Sequence, residues 1–328
     1  MSAREPIRVC VVGLGAIGRE AVKALRARAS LALVSAVDPA FAGRDAGEVA
    51  GIGRLGVTVT ASLADGLAAA PHVAVVMTVS ATAEMLPIVQ AAADAGVDIV
   101  SSCEDLAYAR LATPELADAI HAKAWAGDIT VLGTGVNPGF VMDRLPLQLA
   151  GACVSVNAVR VRRVVDAAKR RGPLRAKVGA DMTPDEFRAG VAARRLGHRG
   201  LPESCALVAA GLDFALDEIK STIDPVVTSV AEPRPGITPG RVAGLRQSAA
   251  GLRGGREVVR LDLEMSVGAP SPHDHVWIDG DPPLDVHIEG GTHGDRGTVG
   301  TLLNAIPAVA AASPGLKTVL DLPLYGAG

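Results

Sequence analysis

The stretch that most restricts what this chain can fold into is residues 7–18, IRVCVVGLGAIG. Ile7, Val9, Val11 and Val12 make a short apolar run that ends at a glycine, the pattern of a buried strand. The run passes straight into Gly13-Leu14-Gly15-Ala16-Ile17-Gly18, and a helical pattern follows to about residue 29. Strand, G-x-G-x-x-G and helix stand in the order that a dinucleotide-binding turn requires. Each glycine answers a separate demand. Gly13 permits a sharp turn, Gly15 lets a pyrophosphate approach the backbone without meeting a Cβ, and Gly18 lets the helix sit close to the strand. The pyrophosphate would accept from N–H groups of Ala16, Ile17 and Gly18, at the positive end of the helix dipole. In a chain with 37 glycines this fingerprint needs a companion, and it has one. A second strand, LALVSAV, ends at Asp38, 20 residues past Gly18, where a carboxylate can accept from a ribose 2′-OH.

The next segments extend the same pattern. Residues 39–56 are rich in glycine and small side chains and read as a loop with a short helix, and VTVTAS (57–62) as a short strand. VAVVMT (73–78) is continuously apolar, as a parallel strand covered on both faces must be. A helical pattern spans 82–95, where Pro87 predicts a kink or a late start. DIVSS (98–102) and ITVLGT (129–134) are further strands, separated by a helix from Pro114 with Thr113 as its N-cap. Alternating strands and helices predict a parallel sheet with right-handed crossovers. Beyond residue 150 the order changes. A strand over 156–168 precedes helices near 183–196 and 202–219, then strands near 226–231, 244–252, 257–267 and 284–289. The fold class is therefore α/β: a doubly wound Rossmann domain (1–140), then an α+β domain with a mixed or antiparallel sheet (141–296). The last segment, 297–328, carries a helix at 297–312 that returns to the first domain.

With 328 residues the chain has room for two ordinary domains. Its net charge of −3 offers no basic surplus for nucleic acid or an anionic membrane. The N-terminus lacks the apolar core of a signal peptide, and no run approaches the ~18 apolar residues of a spanning helix. Cys10, Cys103, Cys153 and Cys205 are scattered, as reduced thiols of a cytoplasmic protein are.

In an open α/β sheet the ligand lies beyond the carboxyl ends of the strands. Thr78 and Ser80, in the loop after one strand, either bond a nucleotide or cap a helix. Asn137-Pro138-Gly139 is either a cofactor contact or a plain turn. Glu104 follows an apolar strand at the edge where a nicotinamide would lie. It is either a catalytic acid or a helix-start acid stabilised by the dipole, with Asp105 as its competitor for both roles. Cys103 reads as a small buried thiol rather than a nucleophile. His273 and His275 read as a polar turn rather than metal ligands, and no metal is called for. Arg160, Arg162 and Arg163 are either a clamp for a substrate carboxylate or solvated and ion-paired residues. Asp38 favours NAD by repelling a 2′-phosphate, while Arg44 is placed to admit NADP.

Five stretches together carry a resemblance: residues 13–18, SSCED (101–105), GTGVNPGF (133–140), GHRGLPES (197–204) and THGDRGTVGTLLNAIP (292–307). The chain resembles the 2,4-diaminopentanoate dehydrogenase family and its relatives, the native NAD(P)-dependent amine dehydrogenases, over nearly its whole length. The resemblance implies a fold related to dihydrodipicolinate reductase and a homodimer. That reductase's own signature of paired histidines and a nearby lysine is missing. The resemblance also implies reductive amination of a ketone or aldehyde with ammonia, and oxidative deamination in reverse. Glu104 matches the family's proposed catalytic glutamate, and Phe140, His198 and Thr298 fall in segments on the substrate side. The rival readings are a diamine or amino-acid dehydrogenase of the same fold, and a nucleotide-binding sensor without chemistry.

Overall fold

The computed structural model describes residues 5–169, 177–323 and 326. The end of the tail, residues 324, 325, 327 and 328, thus lies outside the description. The chain divides into two compact units, Met1–Phe140 with His293–Gly328, and Val141–Thr292.

The first unit is built on a parallel sheet. Its strands are β1 (Ile7–Val12), β2 (Leu31–Val37), β3 (Val59–Thr60), β4 (Val73–Val76), β5 (Asp98–Ser101), β6 (Thr130–Gly133) and β13 (Gly315–Lys317). They lie in the order β13-β6-β5-β4-β1-β2-β3. The chain thus winds outward from β1 through β2 to β3, then crosses back to β4 and winds the other way. The order reverses between β1 and β4, and in such sheets the crevice at their carboxyl ends receives the ligand. Every residue of β4 and β6 is buried, as continuous apolar runs predict.

Helix α1 (Ala16–Arg26) follows the glycine turn, and α2 (Ala46–Ala50), α3 (Leu63–Leu67), α4 (Thr82–Ala95) and α5 (Pro114–Ala126) come next. Helices α4 and α5 start where the sequence placed them, and the late start that Pro87 allowed is not taken. Helix α4 begins at Thr82 and runs through Pro87, its first turn closed by the Ala81 N–H donating to the Glu84 carboxylate at 3.3 Å. Thr113 stands at the N-cap position of α5 but does not cap it with its side chain; its hydroxyl donates to the Ala109 carbonyl at 3.2 Å. The last helix, α9 (Gly294–Val309), starts three residues before the expected 297. It does so because the Nδ1 of His293 accepts from the Arg296 N–H, a cap that a helix-propensity reading does not see.

The loop after β2 is organised by one carboxylate. Asp45, only 8% exposed, accepts from the N–H groups of Gly47 (2.8 Å), Glu48 (3.2 Å), Leu55 (3.0 Å) and Gly56 (2.8 Å). The Leu55 N–H contributes most to holding its pKa below the ordinary carboxylate value; burial opposes, and Gly56, Glu48 and Gly47 add to the lowering. A depressed folded-state pKa means that this stabilisation is present above the unfolded value of about 3.9 and is lost as pH falls through the folded one. Asp45→Asn is therefore expected to lower Tm at neutral pH by roughly 2–4 °C. The gap to the wild type should close below pH ~4. A gap of constant size across that range in differential scanning calorimetry would show that the charge is not what holds the loop.

The second unit is a mixed sheet with helices. Its strands are β7 (Ser155–Asp166), β8 (Glu218–Val227), β9 (Val242–Arg253), β10 (Arg256–Ser266), β11 (His273–Asp281) and β12 (Leu284–Glu289), in the order β12-β11-β7-β10-β9-β8. Strands β7 and β10 run parallel and the remaining neighbours antiparallel. Among the described residues its helices are α6 (Arg144–Ala150), α7 (Pro184–Ala192) and α8 (Leu201–Gly211). Helix α8 lies close on β9: a Cβ at Gly251 would stand 3.1 Å from the Cys205 Sγ. The helix expected over 202–219 stops at Gly211, and its tail belongs to β8, an edge strand whose position tolerates Pro225. The polar turn expected at His273 and His275 is instead strand β11, whose alternation buries Asp274, Val276 and Ile278 and leaves the histidines half-buried. His275 bonds Asp285 through Nε2 and stacks on Trp277 with ring centroids 3.5 Å apart.

Candidate active site

The carboxyl edge of the parallel sheet gathers most of the residues singled out in the sequence. At the glycine turn the structure separates three roles. Gly13 has φ +95°, and a Cβ there would stand 2.7 Å from the Thr78 Cγ2. A Cβ on Gly18 would fall 1.8 Å from the Gly13 carbonyl oxygen. Both glycines are therefore demanded by the chain itself. Gly15 is not: its φ is −62° and an added Cβ meets nothing within 4 Å. The missing side chain leaves an open cradle at the start of α1, where Gly15 is the N-cap without a side-chain cap and the first turn has no acid. Ala16, Ile17 and Gly18 follow it, so the positive end of the dipole carries no anion from this helix.

Asp38 ends β2. Its carboxylate accepts from the Leu14 N–H at 2.7 Å and the Ala40 N–H at 3.0 Å, tying the glycine turn to the next loop. Beyond β4, Thr78 lies against Gly13, and the Ser80 carbonyl accepts from the Asp105 N–H at 3.3 Å. That bond joins the loop after β4 to the segment after β5. Glu104 opens a 3-10 turn, Glu104–Tyr108, and is half-buried. Before it, Cys103 is 1% exposed, and burial above all pushes its thiol pKa up to about 12. A thiol so desolvated is not a nucleophile at neutral pH. Beyond β6, the turn over 134–139 folds tightly. Gly139 has φ +121°, and a Cβ there would stand 2.3 Å from the Gly135 nitrogen. Thr298, on α9, accepts from the Val136 N–H at 3.4 Å and so braces this turn.

In the first unit, among the described residues, the buried side-chain polar atoms without a hydrogen-bond partner are Thr82 Oγ1, Thr134 Oγ1 and Asn137 Oδ1. All three belong to segments that follow β4 or β6 at this edge. A buried polar atom left unsatisfied costs about 1–3 kcal/mol, so a native chain keeps such atoms for water, strain or a ligand. Thr82 and Thr134 were not singled out in the sequence, where Thr78, Ser80 and Asn137 stood for the same two segments. Pro138 follows Asn137 in this turn and Phe140 is the last residue of the segment.

His198 belongs to the second unit, on the loop before α8. The residue as a whole is half-buried, but its Nε2 is buried and has no partner. Burial first, and then the charges of Lys177 and Arg163, push its imidazole pKa down to about 3, so the ring is neutral at physiological pH. Arg163 is itself buried and paired with Asp274, Nη1 to Oδ1 2.5 Å, and its Nη2 donates to the Thr292 carbonyl at 2.7 Å. Arg160 pairs with Asp262 at 2.9 Å and Glu257 at 3.3 Å. Of the two readings left open for the arginines, the ion-paired one describes Arg160 and Arg163; Arg162 is exposed.

Sheet order, glycine turn and second mixed-sheet domain define the class: a two-domain protein with a Rossmann-type half. Residues 7–110 match the model of the dihydrodipicolinate reductase N-terminus, and residues 140–327 that of the 2,4-diaminopentanoate dehydrogenase C-terminal domain. The chain belongs to the 2,4-diaminopentanoate dehydrogenase family. It is 29% identical to a 2,4-diaminopentanoate dehydrogenase of Acetoanaerobium sticklandii, over 98% of this chain and 94% of that one. It is 30% identical to an amine dehydrogenase of Streptomyces virginiae, over 97% of this chain and 96% of that one. The solved amine dehydrogenase of Mycobacterium smegmatis shares the fold, with a TM-score of 0.86 at 24% identity, covering 99% of this chain and 98% of that one. No helix among the described residues is long and apolar enough to cross a membrane.

Proposed function

We propose that the protein is an NAD(P)-dependent amine dehydrogenase working on amines of modest size without a carboxylate. The observation that carries this reading is the edge where Gly15 leaves an open cradle and Thr82, Thr134 and Asn137 hold unpartnered polar atoms, with Glu104 in the 3-10 turn that follows β5. These residues fit a dinucleotide: the start of α1 would take the pyrophosphate, and the Asn137 carbonyl oxygen would accept from an amide donor. When bound, the nicotinamide accepts hydride from the α-carbon of the amine. The chain's own part is to orient the substrate and manage its charge. The substrate loses hydride and becomes an iminium, water adds, and ketone or aldehyde leaves with ammonium; the reverse sequence is reductive amination. Glu104 would hold the substrate nitrogen, exchange its proton and stabilise the positive charge of the iminium. Phe140, His198 and Thr298 are proposed for the substrate side, and a homodimer for the assembly.

The cofactor preference follows from Asp38. Two backbone N–H groups fix its carboxylate at the end of β2, so its charge faces whatever occupies the ribose site. NAD is preferred, because a 2′-phosphate would meet that charge. Arg44, whose guanidinium lies over the Phe41 ring at 5.6 Å, is the nearby cation that lets NADP bind as the weaker cofactor. The ion pairs that Arg160 and Arg163 make support a substrate without a carboxylate.

One screen tests the whole reading: amines, diamines and α-amino acids supplied with each cofactor at alkaline pH, followed by cofactor reduction. Turnover of aliphatic amines, faster with NAD, is expected. A strong preference for α-amino acids over their decarboxylated amines would reject the substrate class. Cofactor binding without reduction by any amine would leave a nucleotide sensor.

A further inference from the structure

The inner face of the second sheet, where α8 packs, carries three polar residues in one row. Register places Ile223, Gln247, Leu263, Arg163, Asp274 and Ile288 side by side across β8, β9, β10, β7, β11 and β12. Such rows in a sheet core are ordinarily apolar, and Leu245 and Ala249, which flank Gln247 on the same face of β9, are. Gln247 is only 3% exposed. Both ends of its amide bond one residue: Oε1 accepts from the His198 N–H at 3.0 Å and Nε2 donates to the His198 carbonyl at 3.0 Å. This is the pairing that a neighbouring β-strand would offer, supplied by a side chain to a loop. The loop itself can take its path only because Gly197 (φ +118°) and Gly200 (φ +92°) flank His198 and Arg199. Backbone, glycines and amide thus fix a histidine whose Nε2 is buried and unpartnered. A core that served packing alone would carry an apolar residue at 247 and leave no imidazole nitrogen without a partner.

We propose that Gln247 is a positioning residue: its amide clamps the His198 backbone so that the imidazole Nε2 is a preformed hydrogen-bonding point for the polar nitrogen or oxygen of the substrate. The proposal rests on the amine dehydrogenase reading above. A ring that cannot charge keeps that contact neutral, which suits a substrate alternating between a carbonyl and a cationic nitrogen. Proton transfer stays with Glu104.

The test is Gln247→Met, which keeps length and removes both hydrogen bonds, beside His198→Phe. Both variants are assayed with an aliphatic amine and with the matching ketone and ammonia. Gln247→Met should raise KM for amine and ketone roughly ten-fold, the scale of one misplaced hydrogen bond, with kcat changed much less and NAD affinity unchanged. Ring 15N NMR of the histidines gives a readout that folding alone does not move. The His198 signal, assigned by its loss in His198→Phe, should shift when the ketone is added to the wild-type enzyme–NADH complex and split or broaden in Gln247→Met. Unchanged KM and an unchanged His198 signal in a folded Gln247→Met protein, with the wild type active, would overturn the proposal alone. A wild type that oxidises no amine would overturn the functional reading on which it rests.

Discussion

A Glu104→Gln enzyme binds NAD like the wild type, melts within a few degrees of it, and loses about 10²–10⁴-fold in amine turnover in both directions. Glutamine keeps the size of the side chain and most of its hydrogen bonding, but cannot accept a proton as a carboxylate does. It also withdraws the negative charge that steadies an iminium, which adds to the loss. The location of Glu104 makes the experiment clean. The residue opens a 3-10 turn directly after β5, and the adjoining backbone is held by the Asp105 N–H donating to Ser80. Cys103, beside it, is buried. Asp105→Asn is the companion, expected to be far milder in rate, because Asp105 is the choice for the structural acid at the start of the turn. Rates follow from steady-state assays, with cofactor affinity from titration and folding from thermal melting. Near-wild-type turnover by Glu104→Gln would remove the catalytic assignment and leave a nucleotide-binding protein of other chemistry.

Gly15→Val separates what the fold needs from what the ligand needs. Backbone φ of −62° suits any residue, and an added Cβ meets no atom of the chain within 4 Å, so the variant should fold with unchanged circular dichroism. NAD affinity, by contrast, should fall roughly 10²-fold or more, the loss of two or so charge-assisted hydrogen bonds to the pyrophosphate. Gly18→Ala is the opposite case. Its Cβ would stand 1.8 Å from the Gly13 carbonyl oxygen, so the damage should appear as lowered Tm before any question of cofactor arises. Normal NAD binding by Gly15→Val, measured by calorimetric titration, would show that the open cradle is not where a pyrophosphate sits.

Local rules account for much of what could be read without coordinates. The G-x-G-x-x-G turn, the alternation of strand and helix to residue 134 and the apolar β4 depend on neighbours in sequence, and each stands in the structure near its expected place. Errors arose where a distant group intervened. The Ala-rich run after Cys205 favours helix, but the chain breaks at Gly211 and pairs Glu218–Val227 with β9, because sheet pairing outweighs propensity. HDH looks like a turn for its polarity, yet Asp274 is a buried strand residue whose carboxylate pairs with Arg163, 111 residues earlier, and accepts from the Thr292 N–H.

By itself, the sequence determined the doubly wound half, the three demands on its glycine turn, an acid after β5 and the family to which the chain belongs. These are properties of short segments, whose backbone conformations and side-chain chemistry are set within a few residues. Tertiary structure alone showed that Gly13 and Gly18 are crowded by the chain itself and that Gly15 is not. It alone showed that Arg163 is already paired, that Thr298 braces the turn after β6, and that Thr82, Thr134 and Asn137 keep polar atoms without partners. It alone revealed Gln247 holding His198 across 49 residues of sequence. The reason is physical: satisfaction of a buried polar group depends on what lies within about 3 Å of it in space. Register and crossover connections, not sequence proximity, decide which residues those are.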